Sequence, residues 1–391
     1  MAPTPSAPTL LCFSHLRWKF VYQRPQHLLS RAAKSYQVIF IEEPVYEDGA
    51  EPRLDVTLQP SGVKVVTPVV PYGGDDTRLV RELLAGQQKN PLILWYYTPM
   101  ALAFSAHLDA ELVVYDCMDE LSAFHFAPPQ LKTYEAELFE KADVVFTGGH
   151  SLYEAKRRLH ANVQAFPSSV DAQHFRKGRE AALADPADQA NIPFPRLGFF
   201  GVIDERFDTQ LVGQMADLRP DWSFVMIGPV AKIDPATLPQ RHNIHWLGAR
   251  SYDALPSYLA HWNLGLMPFA LNASTRYISP TKTPEFLAAG LPVVSSAITD
   301  VMHPYGDLGL VEIAGEADAF VRRAQTLLAR PREDWLARAD TFLAGISWDK
   351  TWNAMHAAMR MAMLQKRKPM LTSLNGAGLN TAVTEGGHAG L

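Results

Sequence analysis

Short apolar runs recur along the chain at intervals. TLLCFSH, YQVIFIEE, VKVVTPVV, PLILWYYTP, ELVVYDCMD and ADVVFTGG mark the first half, and RLGFFGVI, SFVMIGPV, NIHWLG, LGLMPFA, PVVSS and GLVEIA mark the second. Near-continuous runs of this length, without apolar/polar alternation, read as strands buried on both faces of a parallel sheet. Helix-like stretches such as RPQHLLSRAAK and TYEAELFEKA stand between some of them. The rhythm predicts an α/β chain in two wound halves, each a Rossmann-like domain, facing each other across a cleft.

Between about Arg176 and Pro195 charges, alanines and prolines interrupt the rhythm, so residues 176–195 read as a linker. It separates an N-terminal domain, 1–175, from a C-terminal domain, 196–345. The stretch SWDKTWNAMHAAMRMAMLQKRK opens on Ser347 as an N-cap and continues with apolar residues at helical spacing, predicting a helix over 346–370 whose Met and Trp residues serve packing. Beyond Met370, a sequence rich in Gly, Thr and Asn has little to bury and reads as a disordered tail, 371–391.

Composition narrows the setting. The 391 residues are 47% hydrophobic and 20% charged, a globular balance. With 36 Lys and Arg against 41 acidic residues the formal charge is −5, so nothing global favours nucleic acid as a partner. Cys12 and Cys117 lie in or beside apolar runs and read as buried thiols of a reducing cytosol. No apolar run approaches the ~18–20 residues that span a bilayer, and MAPTPSAPTL lacks the features of a signal peptide, so the expectation is a soluble, cytoplasmic protein. Lys366, Arg367 and Lys368, with Arg157 and Arg158, would suit peripheral contact with an anionic inner membrane; a solvated helix end is the stronger reading.

No G-x-G-x-x-G follows a strand, and Walker, H-E-x-x-H and G-x-S-x-G motifs are absent from the sequence. In open parallel sheets ligands sit beyond the carboxyl ends of strands. One such place is SPTKTPEFLAAGLPVVS, residues 279–295, where proline and Glu285 mark a helix start and Gly290 its end. An ordinary helix-to-strand unit accounts for Phe286, Leu287, Val293 and Val294 but leaves Lys282 and Glu285 without a purpose. A cation and a carboxylate at i and i+3 beside free backbone N–H groups could hold the phosphates and ribose of a nucleoside diphosphate. Gly201, Gly228, Gly248 and Gly290 fall near element ends, serving either turns or a close ligand approach. Asp116 and Asp119 either cap the turn after VVY or serve an acceptor, and His15 follows the first strand. Arg17, Trp18 and Arg24 form an acceptor rim or a cation–aromatic packing.

The stretch PTKTPEFLAAGLPVV resembles the donor-site helix of GT-B nucleotide-sugar glycosyltransferases, especially the group 1 or family 4 enzymes of bacterial cell-surface polysaccharide synthesis. SSVDAQHF, GFFGVIDERFD, NIHWLGARSYDALPSYLAHWNLGLMPF, YQRPQHLLSRAA and VVYDCMDELSAF are similar to further segments of that family, together spanning much of residues 10–350. The resemblance implies a hexosyltransferase-type enzyme of exopolysaccharide or related biosynthesis, moving a sugar from a nucleotide sugar to a glycan or lipid-linked acceptor with retention and without a metal or other cofactor. It implies that Glu285 accepts hydrogen bonds from the ribose, that Lys282 and Arg206 lie near the diphosphate, and that Gly201, Thr281 and Thr283 complete the donor side. The usual Gly-Arg pair is here Gly201-Val202, and Tyr277 stands where relatives often carry a glutamate. An inverting enzyme would instead need a base, for which Asp119, Asp116 or His15 are the candidates. A nucleotide-sugar epimerase of the same fold and a catalytically silent nucleotide-sugar-binding subunit are the alternatives.

Overall fold

The computed structural model describes residues 7–73, 76–85, 92–180 and 182–376, with side chains in the last helix described to Arg367. Its strands in chain order are β1 (Thr9–Ser14), β2 (Gln37–Glu42), β3 (Val45–Tyr46), β4 (Arg53–Leu58), β5 (Lys64–Val70), β6 (Leu92–Tyr96), β7 (Leu112–Cys117), β8 (Val144–Thr147) and β9 (Val163–Ala165), then β10 (Arg196–Phe200), β11 (Ser223–Ile227), β12 (Ile244–Gly248), β13 (Leu264–Met267), β14 (Val293–Ser295) and β15 (Val311–Ile313). Every apolar run of the sequence is a strand. The three strands it did not announce have physical reasons: β4 is exposed along most of its length, and β3 and β9 are edge pieces of two and three residues.

The first sheet runs β3-β5-β2-β1-β6-β7-β8-β9, with β4 on β5, and the second runs β12-β11-β10-β13-β14-β15. All pairings are parallel except β4 with β5. Alternate residues of the central strands feed cores on opposite faces. In the first sheet Cys12, Phe40 and Trp95 face one core while Phe13, Ile41 and Tyr96 face the other. In the second, Phe200, Val225 and Val293 oppose Phe199, Phe224 and Val294. Both cysteine thiols are free and buried.

The segment 176–195 is packed rather than free. Gln189 and Ile192 are buried, and the fully buried Arg196 donates to Asp185 at 2.7 Å and to the Ile192 carbonyl at 2.8 Å. Phe166 packs on the first-sheet core whereas Val170 and Phe175 lie in the second-sheet core, so the chain crosses between domains at Pro167-Ser168-Ser169. The last helix, Trp348–Gly376, returns to the first sheet, where Trp348, Trp352, Met355 and Met359 join the core of Leu28, Trp95 and Phe146. It runs six residues into the stretch read as a tail, and the remainder, 377–391, lies outside the described residues. Near its end Lys366 pairs with Asp143 at 2.8 Å and Arg367 with Glu111 at 2.9 Å, and elsewhere in the N-terminal domain Arg157 pairs with Glu154 at 2.7 Å. No helix among the described residues is long and apolar enough to cross a membrane.

Candidate functional site

The carboxyl ends of the two sheets face one another across a cavity of about 190 Å³. Its floor on the C-terminal side is bare backbone. Gly201 follows β10 and Gly228 follows β11, at φ +148° and +151°. A Cβ on Gly228 would lie 1.7 Å from the Gly201 carbonyl oxygen, and one on Gly201 would crowd Phe199 Cζ at 3.2 Å and Lys282 Cε at 3.3 Å. Glycine is required here because the strand ends touch through their main chains, which leaves a ligand free to approach that backbone.

The helix Lys282–Ala288 enters the cavity from the same domain, with Thr281 as N-cap residue. Its far end is fixed by Gly290 at φ +79° and by Arg179, which donates to the carbonyls of Leu287 and Ala288 while paired with Asp340. At the near end Lys282 Nζ donates to Thr281 Oγ1 at 2.9 Å and Glu285 Oε2 at 3.0 Å, and lies 4.8 Å from the Phe200 ring centroid. Glu285 is only 4% exposed; burial raises its pKa above the ordinary range, and the Lys282 ammonium pulls against that rise.

The opposite wall comes from the N-terminal domain. Asp119, just past β7, lines the cavity, and burial pushes its carboxyl up to about 6 against the opposing pull of Arg206, Arg24 and Lys232. Arg206 reaches the cavity from the loop after β10, held by Asp204 at 2.6 and 3.0 Å, with its guanidinium 5.2 Å from the Phe124 ring. Lys232, at φ +60°, approaches the same ring to 5.1 Å from the loop after β11. His15 carries a buried Nδ1 with no partner among the described residues, and burial and the Lys232 charge hold its pKa at about 4, leaving the ring neutral.

The cavity thus brings together Asp119, Arg24, Arg206, Gly201, Thr281, Lys282 and Glu285 from the residues singled out in the sequence. Others lie elsewhere. Asp116 is fully buried at the end of β7, both oxygens taken by Arg24 at 2.8 and 3.1 Å, so it organises the wall instead of facing a ligand. Arg24 lines the cavity with its charge consumed in that pair. Thr283 is fully buried and donates to Met267 Sδ at 3.5 Å, away from the cavity. Trp18 packs into the N-terminal core against Phe40, and Arg17 is tied to Glu42 and the carbonyls of Glu43 and Pro44, so neither forms a rim to this cavity. His15 does not line it either. Sequence reading passed over Tyr22, Tyr252 and Lys232; only the backbone strain at Lys232 marks it, and no sequence signal carries that.

Two Rossmann-like sheets with their carboxyl ends across a cleft, and a helix returning from the second domain to the first, define a GT-B fold. The second domain carries the mark of a known class: residues 195–330 match the family model for glycosyl transferases group 1. In Bacillus subtilis a protein bearing the name of a teichuronic acid biosynthesis glycosyltransferase, TuaH, is 27% identical over 231 residues, 54% of this chain and 58% of that protein. The chain therefore spans somewhat under two thirds of that curated relative. Among solved structures, an α,α-trehalose-phosphate synthase (UDP-forming) from Burkholderia xenovorans in complex with glucose-6-phosphate superposes with a TM-score of 0.66 at 11% identity, covering 91% of this chain and 100% of that one. HepE from Anabaena in complex with UDP and glucose gives 0.65 at 14% identity, covering 90% and 99%.

Proposed function

We propose that the chain is a glycosyltransferase that moves a sugar from a nucleoside-diphosphate sugar to a glycan or lipid-linked acceptor in polysaccharide assembly. The observation that carries the reading is the Lys282–Glu285 pair, held at the edge of an interdomain cavity whose floor is the exposed backbone of Gly201 and Gly228. Glu285 accepts ribose hydroxyls, Lys282 turns to the diphosphate, and Arg206 meets it from the facing loop. Breaking the sugar–phosphate bond places negative charge on the departing diphosphate, which these cations, already turned to it when the donor is bound, stabilise at the moment of reaction. The leaving phosphate, on the same face as the acceptor, takes the acceptor proton, so transfer proceeds with retention and Asp119 orients the acceptor hydroxyl. The cations neutralise the phosphates, so no divalent metal enters the reaction; loss of transfer in EDTA, restored by manganese, would contradict this.

UDP, present in the HepE structure, is the first probe. Glu285→Gln keeps shape and helix propensity but exchanges one acceptor for a donor. UDP affinity should fall by roughly ten- to a hundredfold, the equivalent of about 1.5–3 kcal/mol for charge-assisted bonds. Unchanged affinity in a folded Glu285→Gln protein, measured by calorimetry, removes the ribose role and with it the donor reading. Recovery of an epimerised nucleotide sugar instead of transfer would replace the activity while leaving the site in place.

A further inference from the structure

Tyr252 follows β12 and lines the cavity that holds Lys282 and Glu285. Its ring is locked. Tyr22 of the N-terminal domain stacks on it at 4.7 Å and His174 at 4.2 Å, while His27 and Phe175 meet it at steep angles at 5.6 and 5.5 Å. His174 Nε2 also shares a hydrogen bond with the Tyr252 carbonyl at 3.0 Å. At the end of this clamped ring the hydroxyl is buried and has no hydrogen-bond partner among the described residues. A buried hydroxyl without a partner is costly, and on a residue that lines a candidate ligand cavity it points to a bond that a ligand completes. Burial and the neighbouring Glu285 charge both oppose loss of its proton, so it stays a donor.

Glu285 as a carboxylate can only accept. A ribose hydroxyl that gives its hydrogen to Glu285 still carries lone pairs, and beside a carboxylate only 4% exposed these need a donor. Building on the donor reading above, we propose that Tyr252 is a specificity-determining residue that donates to a ribose hydroxyl shared with Glu285, making the enzyme selective for ribonucleotide donors over deoxyribonucleotide ones. A site built around a hydroxyl rejects the analogue that lacks it, because its own buried groups are then left unpaired.

Tyr252→Phe tests this without disturbing the ring stack; its melting temperature should stay near that of the wild type. UDP, 2′-deoxy-UDP and 3′-deoxy-UDP are titrated into both proteins by calorimetry. The wild type should bind UDP more tightly than at least one deoxy analogue. In Tyr252→Phe, UDP affinity should fall about three- to tenfold, the range of one neutral hydrogen bond, and the gap to that analogue should shrink by a similar factor. Wild-type binding of UDP with an unchanged Kd in Tyr252→Phe, or with both gaps preserved, overturns the Tyr252 role alone. A wild type that binds none of the nucleoside diphosphates overturns it together with the donor reading.

Discussion

Lys282 is the internal counter-ion of a carboxylate that has almost no access to water, so its removal has a calculable consequence. The ammonium lies 3.0 Å from Glu285 Oε2, with side-chain exposures of 20% and 5%. Lys282→Met keeps the length of the stem but leaves Glu285 buried and unpaired. Stripping one partner from a fully buried pair costs about 3–5 kcal/mol, and the partial exposure of Lys282 brings the expected loss below that range, to about 2–3 kcal/mol at pH 8. The carboxyl can escape by taking a proton. Burial already raises its pKa, and loss of Lys282 raises it further. An acid whose folded pKa exceeds its unfolded value, about 4.3 for Glu, destabilises the fold above the folded pKa and is relieved as pH falls through it. The deficit of Lys282→Met should therefore be largest at pH 8 and shrink toward pH 5. Adding Glu285→Gln removes the buried charge and should restore most of the loss at pH 8, a coupling of at least about 1 kcal/mol in the double-mutant cycle. Urea unfolding of the four proteins at pH 8, 6.5 and 5 measures it. A deficit that is flat with pH and additive with Glu285→Gln would show that the pair is not the electrostatic unit described.

Two further outcomes follow from the same cavity. With its carboxyl near pH 6, Asp119 should give the transfer rate an acid limb there that Asp119→Asn lacks; because that pKa is raised on folding, the wild type should also gain stability relative to Asp119→Asn as pH drops through about 6, and a parallel pH dependence of the two proteins would remove the residue from the site. Gly228→Ala would place a methyl 1.7 Å from the Gly201 carbonyl oxygen, so UDP affinity should fall more than about tenfold (over ~1.4 kcal/mol), whereas Gly315→Ala, with nothing within 4 Å of the added carbon, should bind as the wild type does; equal affinities in calorimetry would mean that the floor is not backbone-lined.

How much of this was legible in the sequence depends on what each residue's role requires. The strands were legible because a run buried on both faces carries its own signature, whereas β4, exposed on an edge, has no buried face to announce. Lys282 and Glu285 were legible because their partnership is local, one helical turn between two charges. Asp116 and Asp119, three residues apart, could not be told apart, since what separates them is Arg24, 92 positions away in sequence, which claims both oxygens of Asp116. Trp18 went inside for a similar reason: it packs against Phe40 of β2. Tyr252 and Lys232 were invisible because their positions matter only once the facing domain supplies Tyr22 and Phe124.

The same long-range pairings decide how the cavity can discriminate. Its cations arrive with resident carboxylates: Arg24 with Asp116, Arg206 with Asp204, Lys282 with Glu285. Long-range attraction for anions is correspondingly weak, and an isolated phosphate gains little because it must compete with a carboxylate already in place. The pairs differ in how firmly they are closed. Arg24 and Asp116 are 3% and 0% exposed and serve as architecture, while Arg206 and Lys282, at 26% and 20%, keep donors turned toward the cavity. Lys282 can leave Glu285 at little cost only if something else donates to that buried carboxylate at the same time. In the proposed donor complex, ribose hydroxyls would do this while a diphosphate, a few bonds away in the same molecule, would receive the released ammonium. Such an exchange would favour a ligand that carries both groups, a nucleoside diphosphate over either free ribose or inorganic diphosphate, with the selectivity set by the Lys282–Glu285 pairing as much as by any contact made in the complex.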